Sequence, residues 1–160
     1  MNRAKLKAFD AIEITNLSKV KRLKIRNIRK VLSLVFSLLG IPSSQASILL
    51  CDNKFIRKLN RKFFNESGVT DVISFPLKDA TNPQYLGEVV ICVEEAAKLA
   101  KIYSNTWQEE LVLYLIHGIL HIIGFDDIKA KDRLKMQAKQ EKILSKLLQG
   151  HKRIVSGISV

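Results

Sequence analysis

Two histidines four residues apart are the part of the sequence best suited to chemistry. His117 and His121 lie in a strongly apolar segment that predicts a helix, and residues at this spacing are neighbours on one helix face, with Cβ atoms about 5–6 Å apart. Both imidazoles can therefore reach one metal ion, and imidazole nitrogen is a common ligand of zinc. Gly124 is placed to end the helix, so the chain can turn back and present a carboxylate. Asp127 is the natural third ligand, and Asp126 is the alternative.

Three other interpretations of the histidine pair are weaker. A lone histidine on an apolar helix is more often a hydrogen-bonded core residue, but two of the chain's three histidines lie here, one turn apart. Zinc peptidases of the His-Glu-x-x-His type carry a general-base glutamate after the first histidine, whereas this chain has Gly118. Two histidines and a carboxylate also hold non-haem iron(II), which would leave the basic charge of the chain unexplained. The pattern favours a single zinc-like ion.

The chain is strongly basic, with 27 Lys and Arg against 15 Asp and Glu and a formal net charge of +12. Its 160 residues match one domain, and its 47 % hydrophobic content is that of a globular protein. Residues 1–30 contain ten basic and two acidic residues, and residues 129–153 contain nine basic and two acidic ones. Residues 63–128 have the opposite balance, with three basic and ten acidic residues. Basic flanks around an acidic centre predict a polyanionic partner, with nucleic acid ahead of an anionic membrane.

A third basic stretch, residues 54–62, has five basic residues and no acid. Lys54, Arg57 and Arg61 recur at helical spacing, so they share one face and are candidate phosphate contacts. The basic amphipathic segment 20–39 would also suit a membrane surface. Such a stripe is more often a core face flanked by solvated lysines, so no stable membrane association is expected.

Cysteine usage and apolar lengths predict a cytoplasmic protein. Cys51 and Cys92 lie in separate apolar runs without metal-type spacing, as expected of reduced core thiols. Residues 1–10 are followed by no long apolar region, which argues against a signal peptide. The longest apolar stretches are too short or too interrupted to cross a bilayer.

The order of the predicted elements indicates an α/β layer fold in a single domain over residues 1–160. Hydrophobic periodicity and turn residues predict strands at 11–14, 47–51, 71–75 and 85–93. They predict helices at 20–39, from Asp52 or Asn53 through 63, and at 94–103, 107–123 and 128–148. A polar tail is predicted beyond Gly150. The metal site then lies at the end of a central helix.

Several blocks of the sequence resemble the YbeY endoribonuclease family. His-Gly-Ile-Leu-His-Ile-Ile-Gly-Phe-Asp at 117–126, followed by Asp127, is close to the family's metal-binding signature. Leu-Asn at 59–60, Thr-Asp-Val-Ile-Ser-Phe-Pro at 70–76 and Leu-Gly-Glu at 86–88 resemble its other blocks, in the same order. The resemblance is strongest over residues 45–148.

This resemblance implies a fold and an activity. The fold would be a small mixed four-stranded sheet packed by helices. The activity would be that of a metal-dependent, single-strand-specific endoribonuclease in ribosomal RNA maturation, small-subunit assembly and RNA quality control, with Zn²⁺ as the expected metal. Its partners would then be ribosomal RNA and the small ribosomal subunit.

The sequence departs from the family pattern at two positions. Asp127 stands where the family usually has a third zinc-binding histidine, so another divalent transition metal such as Mn²⁺ could replace Zn²⁺. Phe64 stands where the family usually has an arginine lining the substrate groove. Arg61, three residues earlier on the same predicted helix, is expected to supply the missing cation.

The predicted mechanism is metal-assisted phosphodiester cleavage. Asp126 is a candidate general base, or else caps the turn after Gly124. Asp71 is a candidate partner for an imidazole N–H, or else a strand-entry cap, and Ser74 is a weaker candidate for the same supporting role. One rival function is an RNA-binding ribosome-assembly factor with a weakened or structural metal site. The other is a metal-dependent hydrolase of a different substrate, which the basic flanks disfavour.

Overall fold

The computed structural model describes residues 12–19, 22–77 and 79–159, and in them the elements follow an α/β order. The strands are β1 (Ile12–Asn16), β2 (Gln45–Cys51), β3 (Val72–Pro76) and β4 (Tyr85–Cys92). The helices are α1 (Ile25–Leu39), α2 (Asn53–Phe64), α3 (Val93–Tyr103), α4 (Trp107–Ile122) and α5 (Ala130–Ser156). The predicted α/β fold is confirmed, with its metal-ligating cluster at the end of the central helix α4.

The sheet is mixed and has the strand order β1-β2-β4-β3. β1, β2 and β4 run parallel, whereas β3 pairs antiparallel with β4. β3 is therefore an edge strand. The antiparallel pair requires a close approach at Gly87, whose φ is +140° and where a Cβ would lie 2.1 Å from the carbonyl oxygen of Phe75.

Alternating side chains of the sheet build a core on each face. On β4, Val89 and Ile91 join the larger core with α1, α4 and α5, while Val90 and Cys92 join a smaller core. Ile56 of α2 lies in that smaller core. Helix α2 thus covers one face of the sheet, and α4 covers the other.

Helix α4 is the central element of the larger core. Thr106 and Glu109 form a reciprocal capping box at its start. Apolar residues occur on nearly all sides of this helix, which explains why most of its side chains are buried. It packs so close to the sheet at Gly118 that a Cβ there would lie 2.3 Å from Cγ1 of Val89.

The two ends of the chain differ from the sequence prediction. Helix α1 begins at Ile25 rather than near residue 20, because Leu23 pairs with Ser159 and the N–H of Lys24 donates to the carbonyl of Ile158 at 2.7 Å. Residues 11, 20 and 21, which the predicted first strand and first helix include, lie outside the described residues.

The predicted polar tail is also wrong. Helix α5 continues to Ser156 across a kink at His151, whose φ is −139°. Val155 and Ile158 are 1 % and 0 % exposed, so the segment contributes apolar side chains to the core. In the described part of the chain, no helix combines the length and apolar character needed to span a bilayer.

Candidate metal centre and cleft

The C-terminal turn of α4 positions the metal-ligating side chains. Gly124 has a φ of +103° and its N–H donates to the carbonyl of His121, while the N–H of Phe125 donates to the carbonyl of Leu120. This is the hydrogen-bond pattern of a Schellman motif. The chain therefore reverses at once, and Asp127 comes back over the last turn of the helix, as its spacing predicts.

Three ligand atoms converge at this turn. Nε2 of His117 and Nε2 of His121 are 3.1 Å apart, and Oδ2 of Asp127 lies 3.8 Å and 3.6 Å from them. Tetrahedral zinc with bonds of about 2.0–2.2 Å would separate its ligand atoms by about 3.3–3.5 Å. The triangle therefore has the size that one such ion requires.

Hydrogen bonds on the far side of each ring fix which nitrogen faces the ion. Nδ1 of His117 is 3.0 Å from Oε1 of Gln140, and Nδ1 of His121 is 3.1 Å from the carbonyl oxygen of Phe125. Both partners are acceptors, so each Nδ1 carries the proton and each Nε2 presents a lone pair. Two lone pairs 3.1 Å apart beside a carboxylate repel one another, and a shared cation relieves that repulsion. The donor set thus fits a metal ion.

A second contact holds the Asp127 turn in place. Nε of Arg133 donates to the main-chain oxygen of Asp127 at 2.9 Å, and Nη2 donates to that of Ile128 at 3.2 Å. The carboxylate of Asp127 remains available, and its side chain is 41 % exposed. One side of the triangle is therefore open to a ligand from solvent.

A cleft of about 470 Å³ opens beside the two histidines. It crosses the edge strand β3, with the end of α2 on one side and α4 on the other. Its lining includes Asn60, Phe64, Glu66, Thr70, Val72, Ile73, Ser74, Pro76, His117, His121 and Phe125. The size and the mixed lining are typical of a ligand site.

The other predicted members of the site have different contacts. Oδ1 of Asp71 accepts from the N–H of Val72 and from the Thr70 hydroxyl, which corresponds to the strand-entry cap and not to a histidine partner. Oδ1 of Asp126 accepts from the N–H of Ile128 at 3.1 Å, and the side chain is exposed outside the cleft lining. Asp126 therefore caps the turn.

Ser74 connects the edge strand to the helix that carries the histidines. It lines the cleft, and its hydroxyl donates to the carbonyl of Gly118 at 3.3 Å. Ser74 thus supports α4 through its backbone and does not contact an imidazole nitrogen.

Arg61 lies in a different place from the one predicted. Together with Lys54, Arg57 and Lys58 it lines a neighbouring pocket of about 410 Å³ at the start of α2, called the basic pocket because these four cations outnumber its two carboxylates, Asp52 and Glu94. Asn60 and Phe64, one turn apart, are the α2 residues that reach the metal cleft. No Lys or Arg lines that cleft among the described residues, so Arg61 does not supply there the cation that the sequence predicted.

Two buried thiols lie beneath the start of α2. Cys51 and Cys92 are free, as predicted, and face each other on β2 and β4. Burial raises the pKa of Cys51 to about 12 and that of Cys92 to about 11. The Cys92 thiol donates to Oδ1 of Asn53 at 2.9 Å. Both cysteines are protonated at neutral pH and act as core residues.

Gln140 is the site residue that the sequence did not reveal. It lies 23 positions after His117 on α5, and a lone glutamine in a polar helix has no distinctive pattern. Only the packing of α5 against α4 brings it to the imidazole.

Fold and site together define a class: small α/β proteins in which two histidines and one carboxylate, beside an edge strand, form a group that could hold a metal ion. Comparison with known proteins gives the family. The family model described as Endoribonuclease YbeY matches residues 12–148. Endoribonuclease YbeY of Carboxydothermus hydrogenoformans is 38 % identical over 138 residues, covering 84 % of this chain and 96 % of the relative. The enzyme of that name from Geobacter sulfurreducens is 32 % identical and covers 87 % and 97 % of the two chains.

A solved structure agrees with these sequence relatives. The solution structure of TM1509 from Thermotoga maritima superposes with a TM-score of 0.64 at 25 % identity, covering 89 % of this chain and 92 % of that one. The chain belongs to the endoribonuclease YbeY family. The family predicted from the sequence blocks is confirmed.

Proposed function

We propose that this protein is a metal-dependent, single-strand-specific endoribonuclease that acts in the cytoplasm on ribosomal RNA. Its roles would be ribosomal RNA maturation, small-subunit assembly and RNA quality control. The observation that carries this proposal is the triangle of His117, His121 and Asp127 beside an open cleft, in a chain whose relatives are named endoribonucleases. The net charge of +12 is consistent with a polyanionic substrate.

The three ligands would hold Zn²⁺ or another divalent transition metal, because a carboxylate in place of a third imidazole also suits harder ions. When bound, the metal supplies Lewis acidity toward a phosphoryl oxygen and the attacking water. Gln140 and the Phe125 carbonyl keep the protons of both rings on Nδ1, which leaves each Nε2 free as a ligand. Lys54, Arg57 and Arg61 would contact phosphates away from the cleavage point.

A second candidate function has an observation in its favour. No Lys or Arg lines the metal cleft in the described residues, so an electrostatic clamp on the scissile phosphate is missing there. A chain of this kind could instead bind RNA during ribosome assembly and use its metal only as a structural element.

A cleavage assay separates the two functions. We expect the metal-loaded protein to cut a single-stranded RNA and to leave the matching duplex intact. His121→Ala should abolish cleavage, and a chelator should do the same. His151→Ala is the matched control, because His151 is exposed at the kink of α5 and should leave cleavage unchanged. RNA binding that survives the chelator, without cleavage under any metal, would establish the assembly factor instead.

A further inference from the structure

Phe64, the aromatic residue at the end of α2, lines the cleft but is not one of the candidate metal ligands. Phe64 lines the cleft together with His117 and His121, yet it is 53 % exposed. About half of this residue thus stays in contact with water, so its burial contributes less to stability than that of a core phenylalanine. In the described residues its ring makes no aromatic contact.

The neighbouring ring has a structural role that Phe64 lacks. Phe63 packs edge-to-face on Phe75 with ring centroids 5.0 Å apart, and the ammonium of Lys62 lies 5.2 Å from the Phe63 centroid. Phe63 thus helps to hold α2 on the edge strand. Phe64 points to the cleft on the other side of the same helix end.

The backbone that carries Phe64 is held in place. It is the last residue of α2, and Asn65 follows in the left-handed conformation with φ 56°. Asn60, one turn earlier and 5 % exposed, donates from Nδ2 to the carbonyl of Gly68 at 3.2 Å and fixes the loop that follows. Because this backbone is already ordered, only the side-chain rotation of Phe64 is lost when a flat ligand packs on its ring.

We infer that Phe64 is a stacking platform for an unpaired nucleobase of the RNA that crosses the metal cleft, an inference that rests on the proposed function. Single-stranded nucleic acid is recognised by aromatic rings against which its bases stack and by cations that follow its backbone. Here the ring lies in the metal cleft, and the cations Lys54, Arg57, Lys58 and Arg61 line the neighbouring pocket on the same helix. Phe64 positions the strand by its base.

The test measures binding of a fluorescein-labelled single-stranded oligoadenylate to the metal-loaded protein. Phe64→Leu should weaken binding by roughly 5- to 150-fold, the range that loss of one base–aromatic stack produces. Phe64→Trp should keep the affinity, and the added indole emission should be quenched when RNA binds. Tyr103→Leu is the matched control: Tyr103 is a helix-ending aromatic, 64 % exposed, followed by a left-handed residue, and lies outside the cleft lining.

A second arm uses the same RNA with a single abasic position moved along the strand. One position should weaken binding to the wild type, and the same position should have no further effect on Phe64→Leu. Should the wild type cut RNA while Phe64→Leu binds the intact RNA as tightly as the wild type does and still loses affinity at the same abasic position, the stacking role is overturned and the proposed function stands. A wild type that neither binds nor cuts RNA overturns both. Loss of self-association in Phe64→Leu at unchanged RNA affinity would show a protein contact and overturn the stacking role.

Discussion

Each imidazole of the site has its orientation set by one further residue. The spacing of His117 and His121 was visible in the sequence, because helical neighbours four residues apart always share a face. The acceptor that fixes the His117 ring was not visible in the sequence, because Gln140 comes from another helix. Local spacing therefore predicted the ligand atoms, and tertiary packing supplied the groups that orient them.

Gln140→Leu should lower zinc affinity by about 10–100-fold, the usual effect of removing a hydrogen-bond partner from a ligating histidine. Without the acceptor at 3.0 Å, Nδ1 of His117 no longer holds the proton in one tautomer. Competition with a chromophoric chelator measures the dissociation constant. Gln137→Leu is the control, because Gln137 is exposed and bonds Glu141 of the same helix rather than an imidazole. Equal affinities in the two variants would mean that Gln140 does not orient the ligand.

The buried thiols give a prediction about alkaline stability. An unfolded cysteine has a pKa of about 8.5, whereas burial raises the pKa of Cys92 to about 11 in the folded chain. Folding thus favours the protonated thiol. The contribution to stability is complete below about pH 8.5 and is lost as the pH rises toward about 11, because the unfolded state then releases a proton that the folded state keeps.

Urea unfolding at about pH 8 and about pH 10 with a reducing agent measures this loss, since one pH unit corresponds to about 1.4 kcal/mol per thiol. Cys92→Ala should lose less unfolding free energy between the two pH values than the wild type does. The comparison cancels lysine titration, which both proteins share. An identical loss in both would contradict the raised pKa.

The positions of Arg61 and Phe64 on α2 show what helical spacing can predict about the cleft and what it cannot. Arg61 and Phe64 are three residues apart, which on an α-helix leaves them about 60° apart around the axis. This angle is enough for Phe64 to line the metal cleft while Arg61 lines the pocket at the start of α2. Periodicity gives the relative direction of two side chains, but not where a cleft ends.

The polar tail was wrong for a related reason. The segment 151–160 begins with His, Lys and Arg, whose polar character suggested a tail, although four of the next seven residues are Ile or Val. The structure shows two pairings with the start of α1, from Nδ2 of Asn27 to the carbonyl of Gly157 at 2.6 Å and between Leu23 and Ser159. Ile158 is buried by this long-range contact. No local window of sequence contains both partners.

Gly118 sets the distance between α4 and the sheet, which leads to a stability prediction. An Ala Cβ would meet Cγ1 of fully buried Val89 at 2.3 Å, and Val89 is β-branched and has little rotamer freedom. Overpacking costs about 1–3 kcal/mol, of which about 1 kcal/mol is offset by the better helix propensity of Ala. Gly118→Ala should therefore destabilise the fold in urea unfolding and lower zinc affinity, because His117 is its neighbour.

Gly150→Ala is the matched control for this prediction. Gly150 is also helical, on α5, and nothing lies within 4 Å of a Cβ built there. This change should leave stability unaltered or raise it by up to about 1 kcal/mol. If the two variants were equally stable, the close approach of α4 to the sheet would not limit the residue at position 118.

For the whole molecule, charge is arranged in separate regions around the site. Basic residues dominate both ends of the chain and residues 54–62, whereas 63–128, which contains two strands and the metal ligands, is acidic overall. An acidic centre suits a cation site, and the basic surroundings attract phosphates. Composition could reveal this division, and helical spacing could place Lys54, Arg57 and Arg61 on the helix of Phe64, but only the fold shows that they line a different pocket from the metal cleft.

That arrangement predicts how RNA binding depends on salt. Each phosphate contact of a single strand releases bound counterions, so log affinity falls against log salt with a slope of about −0.7 per contact. Replacing Lys54, Arg57 and Arg61 together with Gln should therefore reduce the magnitude of the slope by about 2 and weaken binding to every sequence alike. The control removes the same charge from exposed Lys142, Lys146 and Lys152 of α5, which line neither the cleft nor the basic pocket. Its slope should stay close to that of the wild type. Fluorescence anisotropy titrations over a range of KCl concentrations measure both, and equal slopes in the two triple variants would mean that α2 has no preferred contact with the RNA backbone.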